Sequence, residues 1–126
     1  MSGVELAMLI AAGGVGAGLR YLVDRALTAR QREGGFPLGT LAVNLAGSFL
    51  LGFLVGLGDA IAWAPMQILG IGLCGGLTTF STVSVDSVRL ARVGRRDLAW
   101  GNLLGTFVVC AGAAGIGLML GGIRVV

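Results

Sequence analysis

The sequence predicts an all-α integral membrane protein with four transmembrane helices, the third broken near its middle. Composition, the spacing of charges and a glycine- and hydroxyl-rich third segment point to that class. Of 126 residues, 56% are hydrophobic and only 12% charged, against about 25% charged in a soluble domain. Six acids and nine bases cannot coat a globule of this size. Glycine contributes 24 residues without a collagen-like period, and proline only two. A disordered tail, a disulfide scaffold and a typical soluble enzyme are thereby excluded.

Charges divide the chain into pieces of membrane-crossing length. Residues 34–58, 60–85 and 98–123 are free of charge over 25, 26 and 26 positions, and about 20 mostly apolar residues suffice for one crossing. The first piece is shorter, with 14 positions (6–19) before Arg20. Tyr21, Leu22, Val23, Ala26 and Leu27 extend its apolar pattern, and an arginine near a helix end snorkels to the headgroups. Spans are expected over roughly 4–27, 38–58, 63–87 and 98–122, forming one membrane domain over 1–126. Glu5, in place of a basic patch, argues against a cleaved signal peptide. Cys74 and Cys110 fall inside predicted spans, where small apolar filler is the expected role. The loops are expected at 28–37, with Gly34, Gly35 and Pro37 as turn residues, at 59–65 and at 89–97. Trp63 and Trp100 stand at interfacial positions.

All nine basic residues are arginines, and their placement is one-sided. With four crossings, the first and third loops share a side that collects Arg25, Arg30, Arg32, Arg89, Arg92, Arg95 and Arg96, with Arg20 nearby; the other side has Arg124. The positive-inside rule places those loops in the cytoplasm and both termini outside. Such arginines anchor a juxtamembrane surface to lipid rather than forming a nucleic-acid stripe.

Within the spans, Gly14/Gly18, Gly52/Gly56, Gly72/Gly76, Gly101/Gly105 and Gly117/Gly121 stand four apart, a spacing that lets helix backbones approach closely. Thr40, Asn44, Gly47 and Ser48 share one helical face, and Asn102, Thr106 and Cys110 repeat at four. For Asn102 and Thr106, a helix-to-helix hydrogen bond of about 1 kcal/mol is a sufficient role; Asn44 is the stronger functional candidate. Gly70, Gly72, Gly75 and Gly76 are followed by the hydroxyls of Thr78, Thr79, Ser81, Thr82 and Ser84. That run makes a poor continuous helix. Exposed backbone at membrane depth persists only where it is buried in protein or lines a wet cavity.

There is no histidine, no lysine and no carboxylate at the middle of a span. A buried proton relay, a metal cluster, a nucleophile elbow and a phosphate loop are therefore missing. A pathway lined by hydroxyls, carboxamides and the positive edges of phenyl rings suits a small anion.

The motifs Gly16-x3-Arg20-Tyr21, Gly39-Thr40-Leu41-x-Val43-Asn44-x2-Gly47-Ser48-Phe49-x2-Gly52 and Gly75-Gly76-Leu77-Thr78-Thr79-Phe80-Ser81-Thr82 together resemble the CrcB/Fluc fluoride channel family. The resemblance covers all four spans. It implies a non-enzymatic, multi-pass protein of the cell membrane that passively exports fluoride as an antiparallel, dual-topology dimer, with a structural sodium ion at the dimer centre. Carried over residue by residue, Gly75 and Thr78 would offer backbone carbonyls to sodium. Asn44, Phe80, Thr40, Ser81 and Thr82 would belong to the fluoride pathway, and Arg20 would attract the anion to a vestibule. Asp86 stands where the family commonly has glutamate.

The chain departs from the family pattern at Val83, where a second phenylalanine is usual, so one ring-edge contact is expected to be absent or altered. Val83 and the one-sided arginines both point to one subunit of a heterodimer with an oppositely oriented paralogous subunit, and a homodimer stands as the alternative. Two rival functions remain. A small multidrug-resistance-type transporter would need an embedded acid in the first helix, where Glu5 is too shallow. A non-transporting scaffold subunit would need neither Asn44 nor the helix break.

Overall fold

The structure, a computed structural model, describes residues 2–28 and 35–125, the side chains of Thr28, Arg124 and Val125 excepted. Arg30, Arg32, Glu33 and Gly34 of the expected first loop, and the Arg124 side chain, lie outside the described residues. Helix α1 covers Gly3–Thr28 and α2 covers Leu38–Leu57, followed by a 3-10 turn at Gly58–Ala60. The third span joins α3 (Trp63–Met66), a π-helix (Gln67–Cys74), α4 (Gly75–Leu77) and α5 (Phe80–Arg92). The fourth joins α6 (Arg96–Trp100), a second π-helix (Gly101–Gly105) and α7 (Thr106–Val125). Gly3–Leu27, Leu38–Ala60, Trp63–Arg92 and Arg96–Ile123 are each long and apolar enough to cross a membrane, and no strand occurs among the described residues.

Local chemistry fixes the helix ends. Ser2 and Glu5 form a reciprocal capping box: the Glu5 N–H donates to Ser2 Oγ at 3.1 Å and the Ser2 N–H to Glu5 Oε2 at 3.2 Å. Two orphan donors at the start of α1 are thus satisfied. The third loop is shorter than the expected 89–97, because α5 keeps Arg89 and Arg92 helical and the chain resumes as α6 at Arg96. Gly94, at φ 84°, makes that reversal, with the Arg95 N–H on the Leu90 carbonyl at 2.9 Å and the Gly94 N–H on the Ala91 carbonyl at 3.2 Å. This is a Schellman closure, and its left-handed residue carries no side-chain penalty as glycine.

Glycines set the packing of the four spans. A Cβ on Gly52 would strike the Ala114 carbonyl and one on Gly56 the Leu118 carbonyl. Reciprocally, Gly117 and Gly121 meet the Phe49 and Phe53 carbonyls, so α2 and α7 lie backbone to backbone. The first half of the third span approaches α1 in the same way: Gly16 faces the Leu73 carbonyl and Gly76 the Gly13 carbonyl. Gly14, Gly18, Gly101 and Gly105 have open space where a Cβ would stand, so these two of the five expected pairs do not mediate close packing within the chain.

The interior is polar as much as apolar. Val43, Leu54, Cys74, Val83, Leu90 and Ala99 are buried, and so are Thr40, Asn44, Ser87, Asn102 and Thr106. Buried carboxamides and hydroxyls in a lipid-embedded bundle must find partners. Among the described residues, no buried side-chain polar atom lacks one.

Candidate functional site at the break in the third span

Helix geometry fails at Thr78 and Thr79, both in extended conformation (φ −84°, ψ 156° and φ −154°, ψ 125°). The Thr78 N–H and hydroxyl both donate to the Cys74 carbonyl, at 3.0 and 2.9 Å, and so finish the first half of the span. Thr79 caps the second half, its Oγ1 accepting from the Thr82 N–H at 3.2 Å. Exposed backbone groups remain at Thr79, and Asn44 of α2 takes both. The Thr79 N–H donates to Asn44 Oδ1 at 2.7 Å, and Asn44 Nδ2 donates to the Thr79 carbonyl at 3.0 Å. Asn44 is the side chain suited to this, because a carboxamide offers donor and acceptor side by side. Gly47, nearly one turn on, makes room for the Thr78 methyl, which a Cβ there would overlap.

The diverted donors leave carbonyls without their helical partners. In an unbroken helix, the Thr79 N–H would close on the Gly75 carbonyl and the Thr82 N–H on the Thr78 carbonyl. Here these two N–H groups go to Asn44 and to the Thr79 hydroxyl instead. Gly75 also has open space around it. Two hard oxygen acceptors on accessible backbone are of the type that small cations bind.

A cavity of about 410 Å³ opens beside the break. Its walls are Asn44 and Ser48 of α2, Thr78, Thr79, Phe80 and Val83 of the third span, and one face of the fourth span. That last face runs Leu103, Thr106, Phe107, Cys110, Ala111 and Ala114, a helical stripe. The Ser48 hydroxyl and the second Asn44 amide hydrogen have no partner among the described residues. No carboxylate lines the cavity.

Of the residues singled out from sequence, Asn44, Thr78, Phe80 and Val83 meet at this cavity, whereas Thr40, Gly75, Ser81, Thr82 and Arg20 do not line it. Thr40 is 2% exposed and donates its hydroxyl hydrogen to Asp86 Oδ2 at 3.2 Å, tying α2 to α5. Arg89 pairs with the same carboxylate at 3.7 Å. The Ser81 and Thr82 hydroxyls each lie 3.2 Å from Thr79 Oγ1, at the entry to α5. Arg20 stands partly exposed on α1.

Behind the cavity, Asn102 is completely buried. Its Nδ2 donates to the Val83 carbonyl at 3.2 Å and to Ser87 Oγ at 3.0 Å, while its Oδ1 accepts from the Thr106 hydroxyl at 3.3 Å. This network fixes α5 against the fourth span and carries the packing role expected of Asn102 and Thr106. Sequence reasoning missed Phe107, although its spacing from Leu103 and Cys110 places it on the same helical face, and missed the cap and anchor formed by Thr79.

Fold and site together define a small multi-pass membrane protein of four spans, the third interrupted around a hydroxyl- and ring-lined cavity. The sequence profile described as "CrcB-like protein, Camphor Resistance (CrcB)" matches residues 7–118, and the chain belongs to that family. It is 42% identical over 120 residues to the Fluoride-specific ion channel FluC 1 of Frankia casuarinae, covering 90% of this chain and 92% of that protein. It is 44% identical over 124 residues to the Fluoride-specific ion channel FluC 1 of Leifsonia xyli, covering 97% and 89%. The Fluoride-specific ion channel FluC 2 of Haloarcula marismortui is 44% identical over 127 residues, with all of both chains covered.

Proposed function

We propose that this chain is a subunit of a fluoride-specific channel that lets the anion leave the cell passively. The observation that carries the reading is the clamp of Asn44 on Thr79, which holds a helix break open beside a cavity without carboxylates. The names of the relatives support the same reading. Fluoride holds its water tightly, so a conduit must replace hydration with donors while leaving binding weak enough for exit. Ser48, the spare Asn44 amide hydrogen and the Phe80 ring edge supply such contacts. A negative interior drives the anion outward by about 2.3 kcal/mol per charge per 100 mV. Entry of neutral hydrogen fluoride from acid surroundings, followed by ionisation inside, creates the load that the channel relieves.

The working unit is two oppositely oriented subunits. Phe80 is 76% exposed in the single chain, and Gly75 and Ser81 also face outward at the break, a surface that a second subunit covers. That subunit is a paralogous chain of reverse charge bias, to which Val83 and the one-sided arginines point, or another copy. A structural sodium ion fits the Gly75 and Thr78 carbonyls, whose helical donors are engaged elsewhere. When bound, it would supply a fixed positive charge at the break, as a structural rather than a transported ion.

The test is fluoride release from liposomes holding the chain alone or with a second subunit, read by an ion-selective electrode. Fluoride release with chloride retained is expected. Well-folded protein silent in both preparations would favour the scaffold reading.

A further inference from the structure

The geometry points to Phe107, on the fourth span, as a second aromatic wall of the anion pathway, beside the contribution of Phe80 from the third. This deepens the fluoride-channel reading and rests on it. Phe80 and Phe107 line the same cavity from two different spans. They are 76% and 73% exposed in the single chain, whereas Val83, which also lines the cavity, is 4% exposed. Val83 is held there through its own carbonyl, which accepts from Asn102 Nδ2 at 3.2 Å and from the Ser87 hydroxyl at 2.8 Å. Its aliphatic side chain offers no positive edge.

A phenyl ring presents positive charge only around its edge. An anion that has shed water gains from edges on more than one side, and a single ring leaves the opposite side apolar. Phe107 lies one position beyond Thr106 and three before Cys110, on the face of the helix that forms the cavity wall. Its neighbour Thr106 is 6% exposed and engaged with Asn102, whereas the Phe107 ring is not held in a hydrogen-bond network and lines the cavity. The aromatic contact that sequence reasoning expected to be altered at position 83 is in this way supplied by a different span.

The experiment compares fluoride release by the wild type, Phe107→Leu, Phe80→Leu and a variant carrying pentafluorophenylalanine at 107, each reconstituted in the subunit combination that conducts. Pentafluorophenylalanine keeps the ring's shape and reverses the sign of its edge, so a ring that serves only packing or the lipid face tolerates it. Assembly is followed in parallel by size-exclusion chromatography. Phe107→Leu and the pentafluoro variant are each expected to slow fluoride release about ten-fold or more, the factor that about 1.4 kcal/mol of lost contact represents, with assembly unchanged. If the wild type conducts and the pentafluoro variant conducts equally well, the role of Phe107 is overturned while the channel reading stands. A wild type silent in every combination overturns the channel reading, and this inference with it.

Discussion

Asn44 and Thr79, 35 positions apart, are joined by two hydrogen bonds of 2.7 and 3.0 Å in which one carboxamide takes the place of a missing helical turn. A defect that would be costly in lipid is thereby made permanent. The break is stable because its N–H and C=O have a partner that no rearrangement of the third span alone could offer.

Replacing Asn44 with Leu leaves both Thr79 groups unpaired. At about 1–3 kcal/mol for each orphaned group, a loss of about 2–6 kcal/mol is expected, with fluoride release at background. Asn44→Asp keeps the acceptor for the Thr79 N–H but brings a negative charge to the cavity. It should melt above Asn44→Leu and still fail to conduct. Thermal unfolding in detergent, paired with liposome flux, separates the two effects.

The glycine contacts predict a sharp contrast between positions. Gly52→Val drives a side chain into the Ala114 carbonyl, and overpacking of this kind costs about 1–3 kcal/mol or more. Gly101→Ala meets open space and should be neutral within about 0.5 kcal/mol. Yields of monodisperse protein on size-exclusion chromatography should fall for the first and hold for the second.

Asn102 positions α5 without lining the cavity. Its replacement by Ala removes three hydrogen bonds and leaves the Thr106 hydroxyl without its acceptor, while the Ser87 hydroxyl keeps the Val83 carbonyl, and should cost about 1–3 kcal/mol. Ser87→Ala in the same background should add less than it does alone, since the two residues share one network. A double-mutant cycle on thermal stability measures that coupling.

Cys110 lines the cavity and is partly exposed, whereas Cys74 is 2% exposed. A small charged thiosulfonate should therefore slow fluoride release. Cys110→Ala should abolish the effect and Cys74→Ala should preserve it. Unchanged release by wild type whose Cys110 is shown by mass spectrometry to carry the label would mean that the cavity is not on the ion's route.

Much of this was legible in the chain. Charge spacing and hydropathy give the four crossings, and the crowding of glycines and hydroxyls from Gly70 to Ser84 gives the break, because both follow from local composition. Asn44 stands out as the one carboxamide on a face of small and hydroxyl residues, with Thr40, Gly47 and Ser48. Its partner could not be read, since pairing with the Thr79 backbone depends on how α2 and the third span meet. Gly14/Gly18 and Gly101/Gly105 show the same boundary: four-residue spacing marks a face able to pack closely, and the tertiary arrangement selects which faces do. Phe107 was overlooked because an apolar residue in an apolar span carries no local signal. Only the cavity distinguishes it from the lipid-facing residues around it.

The central claim is a passive, electrogenic fluoride pore, and the most direct measurement is efflux from potassium-loaded liposomes with and without a potassium ionophore, repeated under imposed proton gradients. Passive conduction predicts little release until the ionophore relieves the charge imbalance, then rapid release of fluoride but not chloride, unchanged by a proton gradient of either sign once the ionophore fixes the voltage. Release that proceeds without the ionophore and follows the proton gradient would contradict the account and indicate coupled transport.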